Sequence, residues 1–355
     1  MTLQQLRFLV AVAQNDLNIT AAGAKLGATQ PALSRQLKLL EEGLGFTLFV
    51  RNGRAFSSIT SLGERVLKHA YRLLREVQSI REVSAESRDA KSGVLSIGTT
   101  HTQARYVLPA VIQRFRAQYP EVEVHLHQGT VEQIAEMALL DRIDLAMASG
   151  SRELFSDHIL LSCYRWHRRI IAPKDHPLTR IARPTLRQLA AYPLITYVFS
   201  FSGPSSLYEL FTSEKLHPDV AITAQDSDVI KTYVRLGLGV GVIADPALEQ
   251  EDVEDLAAID AAHLFPDHTT WIGFRRGALL GRYTNDFLQM LAPHLTRHLL
   301  TQARSSDTQG AVDAIFERVT IPVFQPPQAA AELQNVITGR RNVIPGSGSL
   351  PKNRL

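Results

Sequence analysis

The sequence has a single cysteine and lacks a long apolar run. These two features exclude an internal disulfide, a zinc site built on a cysteine pair, and a membrane-spanning helix. Cys163 is the one cysteine among 355 residues, so neither an internal disulfide nor a cysteine pair for zinc can form. The longest apolar run, Leu236–Ala244, spans nine residues with three glycines, which is too short to cross a bilayer. The first residues do not have the basic start and apolar core of a secretory signal. We therefore expect a protein of the cytoplasm that does not enter the membrane.

Arrangements typical of enzymes are also missing. No nucleophile stands in a motif with a base and an orienting partner, so no catalytic residue is assigned. His125 and His127 alternate along a predicted strand and could form a metal pair, but a third ligand is not evident, and polar strand positions explain them better. The glycines of Gly237–Gly241 follow a helix and enter a strand, the reverse of the order in a dinucleotide-binding loop. The sequence thus predicts no enzymatic activity, no metal and no cofactor.

Charge is low overall but unevenly distributed. The formal net charge is +3, whereas residues 1–92 contain thirteen Lys/Arg and eight Asp/Glu, which leaves +5 there and −2 in the remainder. A basic excess of this kind is compatible with nucleic-acid binding and also with a solvated face. The helix pattern of the same region favours the first interpretation.

Three helical patterns and a hairpin occupy residues 1–59. The first pattern has apolar residues at helical spacing from Leu3 to Ala13. The second begins at Thr20 and the third at Thr29, with a proline in its first turn. A glycine suited to the left-handed conformation stands between them, and an Asn-Gly pair further on predicts a two-stranded wing. Together these patterns predict a winged helix-turn-helix.

The third helix carries the side chains with which such a domain reads DNA. Its first turns enter the major groove, where glutamine can pair with adenine and arginine with guanine, while arginines of the wing meet the backbone or the minor groove. The residues expected to contact DNA are Thr29, Gln30, Pro31, Ser34, Arg35 and Lys38 on the helix, with Arg51 and Arg54 on the wing. An ordinary exposed position is the alternative for each of them taken singly.

The rest of the chain divides into a long helix, an α/β region and a tail. The helical pattern that begins at Thr60 runs to about residue 90 and predicts a linker helix that pairs with a second copy, with a helix packed on its own chain as the alternative. Strand and helix patterns then alternate, which is typical of open α/β sheets. The expected divisions are a linker at 60–90, an effector domain at 93–300 with lobes 93–163 plus 268–300 and 164–267, and a disordered tail at 301–355.

Hydroxyl and amide side chains follow predicted strands of the α/β region. Thr99–Gln103 lies between a strand and the next helix, at the end of the strand where open α/β sheets bind ligands. Such donors, together with backbone N–H groups, can hold a small anion without a charged side chain. Ser149 and the loop that contains Ser202 follow two further strands. Ordinary helix capping by serine or threonine is the alternative for each loop.

The first domain resembles the signature of LysR-type transcriptional regulators. The positions that agree in identity and spacing are Ala21-Ala22, Leu26, Thr29 to Ser34, Gln36-Leu37, Leu40-Glu41, Leu44-Gly45, Leu48-Phe49 and Arg51. The resemblance extends over about residues 1–300. It implies an N-terminal winged helix-turn-helix, a long linker helix and a two-lobed α/β effector domain like that of periplasmic binding proteins.

Several stretches are similar, more narrowly, to the CysB-like subgroup, which governs sulfur assimilation. They are Leu17-Asn18, TTHTQARY at 99–106, TYVF at 196–199 and DVIKTYVRLGLGVGVIA at 228–244. In that subgroup hydroxyls and amides hold effectors such as sulfate or acetylated serine. The resemblance therefore implies effector contacts from Thr100, Thr102 and Gln103.

The chain departs from the subgroup at other positions of the same site. Ser149 and Ser202 stand where the subgroup has threonines, and they keep the hydroxyl. The loop 198–204 differs from the usual FGFTGR pattern, because Ser200 replaces a glycine and Pro204 replaces an arginine. The resemblance thus implies the site and leaves the identity of the effector open.

The residue patterns predict a DNA-binding protein, and the resemblance implies a regulator of sulfur-source genes. The partners that the resemblance implies are promoter DNA, RNA polymerase, further copies of the chain in a tetramer, and an effector of the sulfate, thiosulfate, acetylserine or adenylyl sulfate class. Control of cysteine biosynthesis and control of sulfonate or sulfate-ester use both stay open. The alternative from another class is a binding or transport protein that uses only the effector fold.

Overall fold

The N-terminal part of the protein is helical apart from one hairpin. The computed structural model describes residues 1–53, 55–86, 92–201 and 207–325. The first elements are α1 Leu3–Gln14, α2 Ile19–Lys25, α3 Gln30–Leu44, β1 Phe49–Asn52, β2 Ala55–Ile59 and α4 Ser61–Glu86. Helices α1 and α3 bury their apolar faces in a common core with β1 and the start of α4, as a winged helix-turn-helix requires.

Helix starts in this domain differ in detail from the predicted ones. Helix α2 begins before Thr20, because the Asn18 side chain caps it by accepting the Ala21 N–H at 3.0 Å. Thr29 occupies the predicted N-cap position of α3, but its side chain makes no cap hydrogen bond. Gly27 has the predicted left-handed conformation, with φ of 63°. The turn between α2 and α3 is therefore the predicted one.

The long helix α4 begins where the sequence predicts. The hydroxyl of Thr60 accepts the N–H of Gly63 at 2.9 Å and caps the helix. A Cβ at Gly63 would collide with the carbonyl oxygen of Leu48, so this glycine lets the helix lie close to the wing. The first part of α4 buries Leu67 and Tyr71 in the core of the DNA-binding domain. Within the described ranges, no helix combines the length and the hydropathy needed to span a membrane.

The ten helices and strands that the sequence predicts in the α/β region are present, and additional elements complete two sheets. Their bounds are β3 Gly93–Thr99, a π-helical turn Gln103–Val107, α5 Leu108–Gln118, β4 Val122–Gln128, α6 Val131–Leu139, β5 Leu145–Ser149, β6 His158–Trp166, β7 Arg168–Pro173, α7 Leu186–Leu189, β8 Leu194–Tyr197, α8 Leu207–Ser213, β9 Val220–Ala224, α9 Ser227–Arg235, β10 Val240–Ala244, β11 Leu256–Asp260, β12 His268–Arg275, α10 Arg282–Leu291, α11 Arg297–Arg304 and α12 Gln309–Phe316.

The strands form two five-stranded sheets, one in each lobe. The order is β4-β3-β5-β12-β6 in lobe 1 and β11-β7-β10-β8-β9 in lobe 2. The chain passes from lobe 1 to lobe 2 at His167, between β6 and β7, and returns between β11 and β12. The first passage lies later than the predicted boundary after residue 163, because Tyr164 and Trp166 still pair with β12.

The expectation of a disordered tail is wrong for residues 301–325. Helices α11 and α12 carry apolar residues at helical spacing and bury them in the core of lobe 1: Leu300, Ala303, Val312 and Phe316. Beyond α12 the chain runs along β6, where Arg165 donates its N–H to Pro322 at 2.8 Å and accepts the N–H of Phe324 at 2.7 Å. The segment thus covers an edge strand of the sheet. Residues 326–355 of the predicted tail lie outside the described residues.

Candidate DNA-reading surface and effector cleft

One face of α3 is exposed and polar. Its opposite face, with Leu33, Leu37 and Leu40, is buried in the domain core. Of the residues predicted to contact DNA, Ser34 is half-buried, and the exposed ones are Thr29, Gln30, Pro31, Arg35 and Lys38. The helix therefore presents these side chains together, on one surface next to the wing.

Arg51, which the sequence predicts to contact DNA from the wing, forms an ion pair with α3. Its Nη2 donates to Oε2 of Glu41 at 3.0 Å, and its guanidinium lies 4.9 Å from the centre of the Phe56 ring. Glu41 is buried, and its Oε1 accepts the N–H groups of Leu48 and Phe49 at 2.8 and 3.3 Å. These contacts fix the wing relative to α3. Arg54, the second predicted wing contact, lies outside the described residues.

Three predicted effector residues meet in one hydrogen-bonded cluster in lobe 1. The hydroxyl of Thr100 donates to the side-chain oxygen of Gln103, whose Nε2 donates to Oγ1 of Thr270 at 3.5 Å. Oγ of Ser149 lies 2.8 Å from the same Thr270 oxygen. The indole N–H of Trp166 points to Ser149 and Thr270 at 3.2 and 3.1 Å. We call these five residues the hydroxyl cluster; Thr270 and Trp166 are not among the residues predicted from the sequence.

The sheet of lobe 1 explains why these residues meet. Strands β3 and β5 are parallel neighbours, so Thr100 and Ser149 end at the same edge of the sheet. The antiparallel β12 pairs Thr270 with Ser149. Gln103 begins the π-helical turn, an unusual turn that often marks functional sites. The turn places the Gln103 side chain in the interior, beside β12.

The wall that lobe 2 contributes contains a buried tyrosine. Tyr197, at the end of β8, shares a hydrogen bond of 2.6 Å with the hydroxyl of Ser227 and accepts the N–H of Ala244 at 3.1 Å. The predicted effector residue Thr102 interacts with this tyrosine through its side chain, across the cleft. Burial raises the pKa of Tyr197, so the phenol stays protonated. Ser202 lies outside the described residues.

A buried arginine lies where the chain passes between the lobes. Arg168 donates its Nε–H to Nε2 of His268 at 3.2 Å and its Nη1–H to the hydroxyl of Ser200 at 2.9 Å. Burial, reinforced by the charge of Arg168, lowers the pKa of His268 to about 4, so this imidazole is neutral and accepts the hydrogen bond. The ring of His268 stacks on Trp166 at a centroid distance of 4.5 Å. Contacts therefore run from the hydroxyl cluster to Arg168, which is also absent from the predicted residues.

A set of ionic contacts closes the rim of the cleft. Arg105 of the π-helical turn makes two hydrogen bonds to Glu249 of lobe 2, at 3.0 and 3.1 Å. The neighbouring Tyr106 donates to Asp228 of lobe 2 at 2.7 Å. The turn that carries Gln103 is thus fastened to lobe 2 by two adjacent side chains. These contacts join the two lobes across the rim of the cleft.

Three potential metal ligands gather at the same rim. His101, Asp226 and Asp228 place one ligand atom each within 4.8 Å of one another. Asp228 already has Lys231 at 3.7 Å and Arg105 at 4.0 Å. These two cations oppose a metal ion electrostatically, so the group is better explained as part of the contact between the lobes.

The linker helix docks on lobe 1 through a second ionic network. Asp141, which is buried, lies 3.5 Å from Nε of Arg72 on α4 and 3.1 Å from Nε of Arg275. Arg275 also pairs with Glu76 of α4. Arg275 ends β12, the strand that carries Thr270. One strand therefore connects the hydroxyl cluster to the linker helix.

Comparison with known proteins identifies both domains. A family model described as "Bacterial regulatory helix-turn-helix protein, lysR family" matches residues 3–64, and one described as "LysR substrate binding domain" matches residues 88–296.

Relatives match most of the length of the chain. The HTH-type transcriptional regulator CysB of Haemophilus influenzae is 41% identical over 321 residues, which cover 90% of this chain and 99% of that protein. SsuR of Burkholderia cenocepacia, also an HTH-type transcriptional regulator, is 40% identical over 295 residues, with 83% and 96% covered. The crystal structure of the cofactor-binding domain of the Cbl transcriptional regulator is 41% identical and superposes with a TM-score of 0.57, covering 61% of this chain and 95% of that one.

Proposed function

Since the chain belongs to the LysR family of transcriptional regulators, we propose that it controls sulfur-assimilation genes in response to a small anion bound between its two lobes. The observation that carries the proposal is the hydroxyl cluster, in which Thr100, Gln103 and Ser149 converge at the edge of the lobe 1 sheet. The similarity to CysB and SsuR supports the choice of sulfur metabolism. The DNA-binding domain disfavours a transport protein.

DNA reading is assigned to α3 and the wing. Gln30 and Arg35 lie on the exposed face of α3, where their side chains have the chemistry to pair with adenine and guanine. Thr29, Pro31, Ser34 and Lys38 complete this surface, with Arg51 beside it on the wing. Arg54, which lies outside the described residues, is assigned to the same role from the sequence. Residues 1–59 form the DNA-binding domain in this proposal.

Effector binding is assigned to the cleft between the lobes. The hydroxyl cluster supplies neutral donors, and Thr102 reaches toward lobe 2. Ser202, which lies outside the described residues, is assigned to the site from the sequence. An oxyanion such as sulfate or thiosulfate suits this donor set, and so does the carboxylate of acetylserine. Adenylyl sulfate belongs to the same class of ligand. Which of these binds decides between cysteine biosynthesis and alternative sulfur sources.

The signal from the cleft to the DNA runs through β12 in this proposal. An effector that contacts Thr270 acts on the same strand that meets the linker helix at Arg275. Binding then shifts the population between two arrangements of lobes and linker, and the coupling is reciprocal. Helix α4, assigned as the linker at 60–90, joins copies of the chain into a tetramer that recruits RNA polymerase.

The test combines footprinting with ligand titration of the full chain. Promoters of sulfur-source genes are footprinted with and without sulfate, thiosulfate, acetylserine and adenylyl sulfate, using the parent protein, Gln30→Ala and Thr100→Ala. We expect Gln30→Ala to lose the footprint while its oligomeric mass is unchanged. We expect Thr100→Ala to keep the footprint and lose the change caused by the effector. If no ligand raises the melting temperature of the parent, as binding to the native state alone requires, the effector assignment is wrong.

A further inference from the structure

We propose that Arg168 neutralises the charge of the effector, which therefore presents an anionic group to the part of the cleft where the two lobes join. The proposal rests on the proposed function, because it takes the hydroxyl cluster as the effector site. It goes further, because it requires that the effector carry a formal negative charge. The neutral donors of the hydroxyl cluster do not by themselves impose this requirement.

The guanidinium of Arg168 is a buried cation with no carboxylate partner in the part of the chain that the structure describes. The residue is 5% exposed, and burial lowers its pKa to about 10, which leaves it charged at neutral pH. Of the residues that the structure describes, none places a carboxylate oxygen within 4.0 Å of it. Residues 202–206, which follow Phe201 in the chain and lie outside the described residues, have the sequence SGPSS and contain no acidic residue. Both observed partners, His268 and Ser200, are neutral.

Two nearby cations of the same lobe have carboxylate partners, which Arg168 lacks among the described residues. Lys231 is 2% exposed, and its Nζ lies 2.8 Å from Asp252 and 3.7 Å from Glu249. Arg169, the next residue of β7, lies 2.6 Å from Asp245. Burial of an unpaired charge is costly, so a folded protein usually supplies a partner. In a ligand-binding cleft the missing partner is expected from the ligand.

The position of Arg168 fits this role. It is the first residue of β7, directly after the passage between the lobes at His167. Through His268 and Trp166 its guanidinium is connected to the hydroxyl cluster. On the other side it holds Ser200, in the turn Val198–Phe201 that leads to Ser202. An anion bound between the cluster and this turn adjoins Arg168.

The chemistry of the two parts of the site is complementary. Hydroxyl and amide donors accept any ligand with suitably placed oxygens, whether charged or not. A guanidinium forms charge-assisted hydrogen bonds with oxyanions and strongly prefers them. The site as a whole should therefore select a sulfate, a sulfonate or a carboxylate over a neutral molecule of the same shape.

Titration calorimetry of the full chain tests this at fixed ionic strength. The probes are sulfate, thiosulfate and acetylserine, with dimethyl sulfone as a neutral probe that has sulfonyl oxygens. The variants are Arg168→Gln, Arg168→Lys and Thr100→Ala, with Arg169→Gln as the matched control on the same strand. For Arg168→Gln we expect anion binding about tenfold weaker or worse and no preference for sulfate over the sulfone. Arg169→Gln should bind the anions within about twofold of the parent.

The outcomes separate this proposal from the one on which it rests. If Arg168→Gln binds the anions as tightly as the parent while Thr100→Ala binds them weakly, Arg168 only supports the loop, and the effector site stands. If the parent binds none of the three anions, the effector assignment and the role of Arg168 fall together. If Arg168→Gln does not fold, Arg168→Lys decides: a retained preference for sulfate supports the proposal, and equal affinity for sulfate and sulfone overturns it.

Discussion

Glu41 shows how one buried carboxylate can hold a DNA-reading surface in shape. One of its oxygens accepts two backbone N–H groups at the start of the wing, and the other accepts Arg51. The wing has only two short strands, and a lone hairpin is marginally stable in water. The position of the wing relative to α3 therefore depends on this residue.

Glu41→Ala should destabilise the DNA-binding domain. It leaves the N–H groups of Leu48 and Phe49 without their acceptor, and each unsatisfied buried group costs about 1–3 kcal/mol. We expect a loss of about 2–4 kcal/mol in the free energy of unfolding, measured by calorimetry. Glu42→Ala is the control, because Glu42 is exposed and its pair with Lys38 at 3.7 Å lies on the surface. Equal melting of the two variants would contradict the role given to Glu41.

His158 should make the protein less stable in mild acid. Burial lowers its pKa to about 4, whereas an unfolded histidine has a pKa of about 6.5. Below pH 6.5 the unfolded state binds the proton more readily, so stability falls as the pH drops toward 4. The difference is about 2 kcal/mol at pH 5 for one such group. Thermal unfolding of the parent and of His158→Gln between pH 7 and pH 5 measures it, and the variant should show the shallower decline.

At the scale of elements, the segment that follows α10 protects an exposed sheet edge. Strand β6 is the outer strand of lobe 1, and an unpaired edge strand invites association with other chains. The amide of Gln309 on α12 accepts the N–H of Leu160 and donates to its carbonyl, both at 2.9 Å. Further along, the backbone near Val323 forms a bridge with Arg165. Gln309 and the backbone near Val323 thus occupy the outer edge of β6 at Leu160 and at Arg165.

Gln309→Ala should loosen α12 from this edge. Two backbone groups of Leu160 lose their partners, which costs about 1–3 kcal/mol if water replaces them poorly. Hydrogen exchange of the Leu160 amide and the melting temperature should both report the change. Gln302→Ala, on the exposed face of α11, is the control and should leave both readouts unaltered. An unprotected Leu160 amide already in the parent would show that Gln309 does not cap the edge.

At the scale of the whole molecule, two ionic networks hold the domains in one arrangement. Arg105 and Tyr106 join lobe 1 to lobe 2 across the rim of the cleft. Asp141 and Arg275 join lobe 1 to the linker helix. Between the networks lies β12, which is anchored in the sheet by neighbours on both sides. In the proposed function, β12 is the element through which a change at the cleft reaches α4.

Asp141→Asn should leave effector binding intact and abolish the change in the DNA footprint that the effector causes. It removes the charge that holds Arg72 and Arg275, while the cleft keeps all its residues. We expect the dissociation constant of the effector to stay within about twofold, and the effector-induced change in the footprint to be lost or strongly reduced. Asp157→Asn is the matched control, because Asp157 is 63% exposed and lies 3.8 Å from Arg72, where a pair contributes little. An intact footprint response in Asp141→Asn would exclude this route.

The sequence by itself determined the order of domains, most helix limits, the wing and the loop after β3, because caps, turns and hydrophobic spacing are local properties. Thr100, Gln103 and Ser149 could be chosen in this way, since each follows a recognisable strand. Strands β6 and β12 escaped prediction, because their nearly continuous burial removes the alternation of apolar and polar residues that identifies a strand.

Only the tertiary structure decided what completes the site. Thr270 and Trp166 join the hydroxyl cluster because β12 returns from lobe 2 and inserts between β5 and β6, a pairing that no local pattern reveals. The tail up to residue 325 is ordered because lobe 1 offers it an apolar surface and an unpaired strand edge. The role of Arg168 also depends on the fold, since only the folded chain buries this first residue of β7 with no carboxylate of the described residues beside it.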